Sequence, residues 1–469
     1  MPSSAHSANE LPLLQLAEVS KAVQKKEVSP VEITRACLER IERLNPKLKA
    51  FITVTAESAL EEARKAETEI GRGEWKGPLH GVPLAVKDLI ETAGVKTTAA
   101  SAVLKNYTPT ADAEVVRRLK AAGAILLGKL NLHEFAYGGS GIIGHFGIAL
   151  NPWNTAHITG GSSSGSAAAV TAGLCYGAIG TDTAGSIRLP AAFCGITGLK
   201  PSYGLVSTRG VIPLSGSLDH VGPMTRTVAD TALMLQAIAH YDAQDIYSQK
   251  FPPVYYPSAM EEAISALRLA VARDYWADAD LEVSQAVDAA VKELAKLTAG
   301  NIQEIELSTE ADRTVVRCEA YAHQQKYLAG HESDYDPETL KRIRSGDDVT
   351  AGQYIQAYRE MLQQRRQILQ KFDRIDLIIT PTTPMLAPSL KELQADPEQL
   401  RNKELVMLRN TRPFNVYGLP AISICCGFSK SGLPIGLQIT GCPGAEGTLL
   451  ALAHAYQKQS NWHTKRPQE

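Results

Sequence analysis

Residues 13–26 and 30–44 alternate apolar and polar positions at helical spacing. The second stretch opens on Ser29-Pro30 with Glu32 in its first turn, which suits a helix start. The same period continues through the charged stretch 55–72 and returns at 111–123. Between these the pattern changes: Gly and Pro punctuate 77–95, where PLAVKDLI reads as an apolar strand with Lys87 in its middle. AILLGKLNL (124–132) predicts another strand, 138–166 a glycine-rich loop, and AAAVTAGLCYGAIG (167–180) a helix of small residues running into a strand. Thr227 and Asp230 make a capping box ahead of ADTALMLQAIAHY. Residues 245–263 read as loop, LRLAVARD (267–274) as a strand, 281–298 as a helix, and 309–375 as long helices rich in Glu, Gln, Arg and Tyr. DLIITPTTP (376–384), LPAISICCGF (419–428) and LPIGLQITG (433–441) predict strands, and 444–458 a closing helix.

Strands alternating with helices from end to end predict an α/β fold. The expectation is a single large α/β/α domain whose central mixed, twisted sheet of about ten or eleven strands is covered by helices on both faces. A polar tail (1–10) precedes a domain spanning 11–469, with its core motif region at 77–235 and a variable helical substrate-pocket region at about 245–375. No internal repeat or Gly/Ser/Pro-rich linker divides the 469 residues.

Composition narrows the function classes. At 44% hydrophobic and 21% charged residues the chain can bury a large core and is not disordered. A net charge of -2 gives no general footing for nucleic acid or an anionic membrane. The seven cysteines are scattered without a CxxC, which points to reduced, buried thiols rather than a disulfide or zinc framework. With no leader pattern and no apolar run of ~20 residues, a cytoplasmic protein is expected.

Two loops carry the candidate chemistry: TGGSSSGS (159–166) and TDTAGSIRLP (181–190). A flexible linker is a poor reading, because the first loop feeds a helix-forming Ala run and the second lies between apolar segments. A phosphate cradle lacks both the P-loop and the dinucleotide fingerprints, and there is no G-x-S-x-G elbow. A serine nucleophile requires a base, and neither loop contains histidine. A lysine within an apolar strand is a candidate, because desolvation lowers its pKa. Lys87 meets that description, although a lone strand lysine also fits an edge or snorkelling residue.

Taken together, GVPLAVKD, GKLNLHEFAYG, TGGSSSGSAAAVTAG, IGTDTAGSIRLPAAFCGITGLKPSYG, GSLDHVGPMTRTVAD, DLIITPTTP, GLPAIS and LPIGLQITG resemble the amidase signature family over roughly residues 10–465. The resemblance implies a Ser-cisSer-Lys triad with Ser186 as nucleophile, Ser162 as bridging serine and Lys87 as base, Ser163 supporting it by hydrogen bonding. It further implies an oxyanion hole built from the backbone N–H groups of Thr183, Ala184, Gly185 and Ser186. Asp182 and Arg188 are expected to hold the loop. Tyr137 and Gly138 are expected near the acyl site, with Ile142, Ile143 and His145 as candidates from the same loop. Ser164 and Ala184 stand where the family commonly has glycine. His157 and Asp88 are read as non-catalytic, and no metal or cofactor is expected.

Within the family the chain most resembles the glutaminase subunit of tRNA-dependent amidotransferases. That branch holds the glutamine α-amino group with an acid shortly before GLPAIS, and the matching position here is Leu408. Arg366 is a candidate for a substrate carboxylate, with a solvated helix face the preferred reading. The missing acid sets the main expectation: a stand-alone amidohydrolase, forming a seryl acyl-enzyme from a small-molecule amide, with ester, anilide or carbamate as further substrates. No nucleic acid and no membrane are expected as partners, and a homodimer, common in the family, is an option that the sequence leaves open. The alternative is the glutaminase subunit of such an amidotransferase.

Overall fold

Among the described residues, eleven strands join one mixed sheet in the order β1-β3-β2-β4-β6-β5-β10-β11-β9-β7-β8. They are β1 (Phe51–Val54), β2 (Pro83–Lys87), β3 (Ile125–Leu130), β4 (Gly177–Asp182), β5 (Thr197–Lys200), β6 (His220–Thr225), β7 (Leu269–Ala272), β8 (Ile302–Ile305), β9 (Leu377–Pro381), β10 (Ala421–Phe428) and β11 (Pro434–Gly441). The computed structural model describes residues 10–276, 278–308 and 312–468, so all of the expected tail except Glu10 lies outside the described residues. The fold is a single α/β domain with helices flanking the sheet, as the alternation of elements predicts.

Two groups of strands run parallel: β2 between β3 and β4, and β7 between β9 and β8. The remaining pairings are antiparallel. Every residue of β2, β3 and β4 is buried, which accounts for their continuous apolar runs. Helices Leu281–Leu297 and Glu446–Ser460 pack on β10 and β11, and Arg188–Cys194 packs against β5, β10 and β11.

Four strands escape the sequence pattern: β1, β5, β6 and β8. β1, β5 and β8 have four residues each, too few for a period to register. β6 reads HVGPMT, and a proline argues against an interior strand because it cannot donate to the ladder. Pro223 nevertheless sits opposite Ile179 in β4, and Gly222 lets β6 lie close to β5, where a Cβ would stand 2.1 Å from the Leu199 carbonyl oxygen. The loop expected over 138–166 ends slightly early, since its helix already starts at Ser164.

The parallel order β3-β2-β4 positions the site. Parallel neighbours end on the same edge of a sheet, and ligands gather outside the carboxyl ends of such strands. Lys87 ends β2 and Asp182 ends β4, while the serine-rich loop enters helix Ser164–Thr171 between β3 and β4. That helix lies tight against the β1–β3 edge: Gly165 N–H donates to the Asn131 carbonyl at 2.8 Å. A Cβ on Gly165 would meet Ala50 O at 2.3 Å and Asn131 N at 2.4 Å. Gly165→Ala is therefore expected to destabilise the fold by more than ~3 kcal/mol through forced backbone movement. Gly352→Ala, whose Cβ would meet nothing closer than 3.9 Å in helix Ala351–Gln367, should stabilise it by about 0.5 kcal/mol. Denaturant unfolding of the two variants checks the opposite signs.

Candidate active site

Lys87 is fully buried, and its ammonium nitrogen contacts hydroxyls only: Nζ donates to Ser162 Oγ at 2.6 Å and to Thr181 Oγ1 at 2.8 Å. No carboxylate among the described residues forms an ion pair with it. Burial lowers its pKa to about 7, and the more distant Asp182 and Asp219 only partly oppose the shift. A lysine in this setting is half deprotonated near neutrality, whereas an exposed one is not.

Ser162 follows a cis peptide bond from Gly161, and its carbonyl accepts the His133 N–H at 3.0 Å. Ser163 ties the two serine loops together. Its N–H donates to the Ser186 carbonyl at 3.2 Å, and its hydroxyl donates to the Thr181 carbonyl at 3.2 Å. Ser164 is buried in the first turn of the helix, its hydroxyl unpaired among the described residues. Ser186 lines a cavity together with Tyr137, Gly138, Thr183 and Ala184. Lys87 of β2 is thus joined to the first serine loop through Ser162, and that loop to the Ser186 turn through Ser163, while the 137–138 turn shares the cavity with Ser186.

The turn after β4 is held by a buried ion pair. Arg188 Nε and Nη2 donate to the two Asp182 oxygens at 3.0 and 2.9 Å, with both side chains fully buried. Arg188 also donates to Gln438 Oε1 at 2.8 Å, Thr411 O at 3.0 Å and Asn415 Oδ1 at 2.6 Å, which joins the turn to β11 and to helix Arg412–Val416. Burial alone would raise the Asp182 pKa, but the Arg188 guanidinium holds it well below the carboxylate range. Asp182 Oδ1 accepts the Gly185 N–H at 2.7 Å. This bond occupies one of the four expected oxyanion donors. The N–H groups of Thr183, Ala184 and Ser186 have no protein acceptor among the described bonds. Gly185 has φ +137°, and a Cβ there would sit 2.1 Å from Thr411 Oγ1, whereas Ala184 keeps an ordinary negative φ.

Several residues of chemical interest lie elsewhere. His157 points Nδ1 at the Ala387 carbonyl at 2.7 Å. Asp88 accepts from Thr98 N–H at 2.9 Å and lies 3.7 Å from Lys129, away from Ser162. His145 stacks edge-on against Phe146, while Ile142 and Ile143 pack into the apolar cluster that includes Leu408. Arg366 is exposed, and its neighbour Arg365 turns inward to the Val416 and Ser217 carbonyls.

Sequence reasoning missed a buried cluster behind Tyr137. Glu404 pairs with Arg342 at 2.8 Å and accepts the Ser140 hydroxyl at 2.6 Å, and Arg342 also donates to the Tyr137 carbonyl at 2.7 Å. Burial holds the neighbouring His133 neutral, with a pKa near 3. Arg342 and Glu404 each lie over 200 residues from the 133–140 segment they meet, so local spacing carries no trace of the cluster. The cavity wall is also unexpected: Arg401, Leu405, Leu408 and Arg412 supply it, and from 300–375 only Asp312, Arg313 and Val316 take part.

Comparison with known proteins follows the same lines. The family model described as Amidase matches residues 32–450. The A subunit of the glutamyl-tRNA(Gln) amidotransferase of Moorella thermoacetica is 40% identical over 487 residues, covering 98% of this chain and 99% of its own. The crystal structure of the protein of the same name from Thermotoga maritima superposes with a TM-score of 0.80 at 32% identity, covering 96% of this chain and 95% of its own. A structure described as a vestigial protein complex, revealing the origins of an s-triazine catabolic enzyme, reaches 0.88 at 30% identity over 97% of this chain and all of its own.

Near full-length similarity to proteins named as subunits overturns the expected stand-alone amidohydrolase. It equally overturns the expected partners: a small-molecule amide, ester or carbamate, and no nucleic acid. The reason is physical. The expectation rests on the acid missing at Leu408, and one apolar position does not define a pocket that Arg401 and Arg412 line from the same segment and Asp312 and Arg313 from another. Among the described residues no helix is long and apolar enough to cross a membrane. The chain belongs to the amidase signature family, hydrolases acting on carbon–nitrogen bonds.

Proposed function

We propose that this chain releases ammonia from the side-chain amide of glutamine, as the hydrolytic subunit of a tRNA-dependent amidotransferase. The observation carrying this reading is the 40% identity over 98% of the chain to the A subunit of a glutamyl-tRNA(Gln) amidotransferase. The cytoplasm is the compartment proposed, in keeping with seven unpaired cysteines.

The chemistry proceeds through an acyl-enzyme on Ser186. Neutral Lys87 accepts the Ser162 hydroxyl proton across the 2.6 Å contact, and Ser162 takes the proton of Ser186 as its oxygen attacks the amide carbon. The oxyanion is received by the N–H groups of Thr183, Ala184 and Ser186, each worth about 3 kcal/mol in comparable sites. Gly185 contributes differently from the expectation, since its N–H anchors the turn to Asp182. The proton returns from Lys87 through Ser162 to the leaving nitrogen, and ammonia departs. Water then attacks the γ-glutamyl ester, giving glutamate and restoring Ser186. Asp182 and Arg188 act by holding the turn, and Thr181 by orienting the lysine. Tyr137 and Gly138 border the acyl group.

Ammonia release from glutamine is the direct test, measured on the full chain alone and on the complex it forms with co-purifying chains. The complex is expected to be the active form. Ser186→Ala should lower the rate by at least ~10⁴-fold and Lys87→Ala by ~10³-fold or more, with the complex still assembled. Full activity in the Ser186→Ala complex would remove the assignment. Quenching the wild-type reaction with acid should leave a γ-glutamyl ester on the peptide containing Ser186, detectable by mass spectrometry.

A further inference from the structure

The cavity over Ser186 is asymmetric in charge. Three guanidinium groups line it: those of Arg313, Arg401 and Arg412. Arg401 is paired with Glu404 at 3.2 Å and stands over the Tyr137 ring at 5.5 Å. Arg412 is largely withdrawn from solvent and gives one long hydrogen bond, 3.4 Å, to the Leu405 carbonyl. Among the described residues no carboxylate lies within ion-pair distance of Arg412 or Arg313. Burial, reinforced by the charges of Arg401 and Arg313, lowers the Arg412 pKa to about 10. A desolvated cation without a counterion is costly, and an anionic ligand relieves that cost.

The opposite requirement is not met. The one carboxylate among the described lining residues is Asp312, at the exposed rim. Its two oxygens are engaged by Thr314, from N–H at 2.8 Å and from the hydroxyl at 3.2 Å, just ahead of helix Thr314–Leu328. The remaining wall around Leu405 and Leu408 is apolar. Arg342 is the other buried arginine nearby, and it differs in having a carboxylate counterion: its Nη1 pairs with Glu404 and donates to the Tyr137 carbonyl, while Nε and Nη2 make no hydrogen bond among the described residues.

We propose that Arg412 binds a carboxylate on the acyl half of the substrate, and that the pocket has no counterpart for an α-ammonium group. The substrate class is then the monoamides of dicarboxylic acids, of which glutamine is one member. This rests on the reading of Ser186 as the nucleophile of a glutamine-hydrolysing site.

The test compares kcat/KM for glutaramate, glutamine and pentanamide on the full chain and on its complex. Glutaramate should be cleaved at least as well as glutamine and about 10- to 100-fold better than pentanamide, the range of one charge-assisted hydrogen bond to a desolvated carboxylate. In Arg412→Gln the glutaramate-to-pentanamide ratio should collapse towards one, and Arg412→Lys should restore part of it. The wild-type ratios decide the matter even if a variant fails to fold. Equal cleavage of pentanamide, a glutamine preference above tenfold over glutaramate, no cleavage of glutaramate, or an unmoved ratio in Arg412→Gln would each overturn the assignment. Cleavage of glutaramate with glutamine untouched would instead remove the glutamine reading and leave the role of Arg412 standing.

Discussion

An ammonium group buried without a carboxylate in contact is an unfavourable component of any fold, and this structure is arranged around one. Lys87 sits at the end of a strand buried on both faces, with only the hydroxyls of Ser162 and Thr181 as partners. Its pKa near 7 expresses that isolation. The linkage follows directly. Between about pH 7 and the ordinary lysine value of 10.5 the unfolded chain binds a proton that the folded chain releases, so the contribution of Lys87 to stability rises with pH across that window. Below pH 7 the folded state bears the full penalty. The rest of the sheet has to tolerate it, and on the proposed mechanism that cost leaves a base usable at neutral pH without histidine.

The neighbouring ion pair follows the opposite rule. Asp182 and Arg188 are as deeply buried as Lys87, but each is saturated with partners: Asn415, Gln438 and the Thr411 carbonyl complete the network. A buried charge pair becomes tolerable when its remaining donors and acceptors are satisfied. The network belongs to the turn that carries Ser186, so it sets where Thr183, Ala184 and Ser186 present their N–H groups. One site therefore contains a charge without a counterion and another fully paired, which the proposed mechanism uses as base and as scaffold respectively.

Much of this was legible in the sequence, for identifiable reasons. Apolar runs such as PLAVK and LIITP announce strands because both faces are buried, and the two serine loops stand out because small residues abut helix-forming ones. Thr181 escaped notice although it adjoins Asp182, since its role depends on β2 and β4 being neighbours. β6 was hidden by Pro223, and the His133, Arg342 and Glu404 cluster by the more than 200 residues that part the 133–140 segment from the other two. The largest misreading came from Leu408. One apolar residue in place of an acid suggested a free-standing enzyme for less polar amides, whereas Arg401 and Arg412 of the same segment line the cavity, joined there by Arg313 from a distant one. Arg366, a candidate for the same task, is exposed.

The proposed chemistry depends on Lys87 being neutral while Ser162 remains in contact with it. The most direct measurement is kcat/KM for amide hydrolysis as a function of pH, from about 5.5 to about 10.5, since that quantity titrates the free enzyme. Activity should rise with a slope of one proton through an apparent pKa near 7, because only the deprotonated lysine accepts the serine proton, and stay level until Arg412 loses its charge at about pH 10. A rise in activity only near pH 10, where an ordinary lysine titrates, or no rise at all would contradict the role of Lys87 as the base.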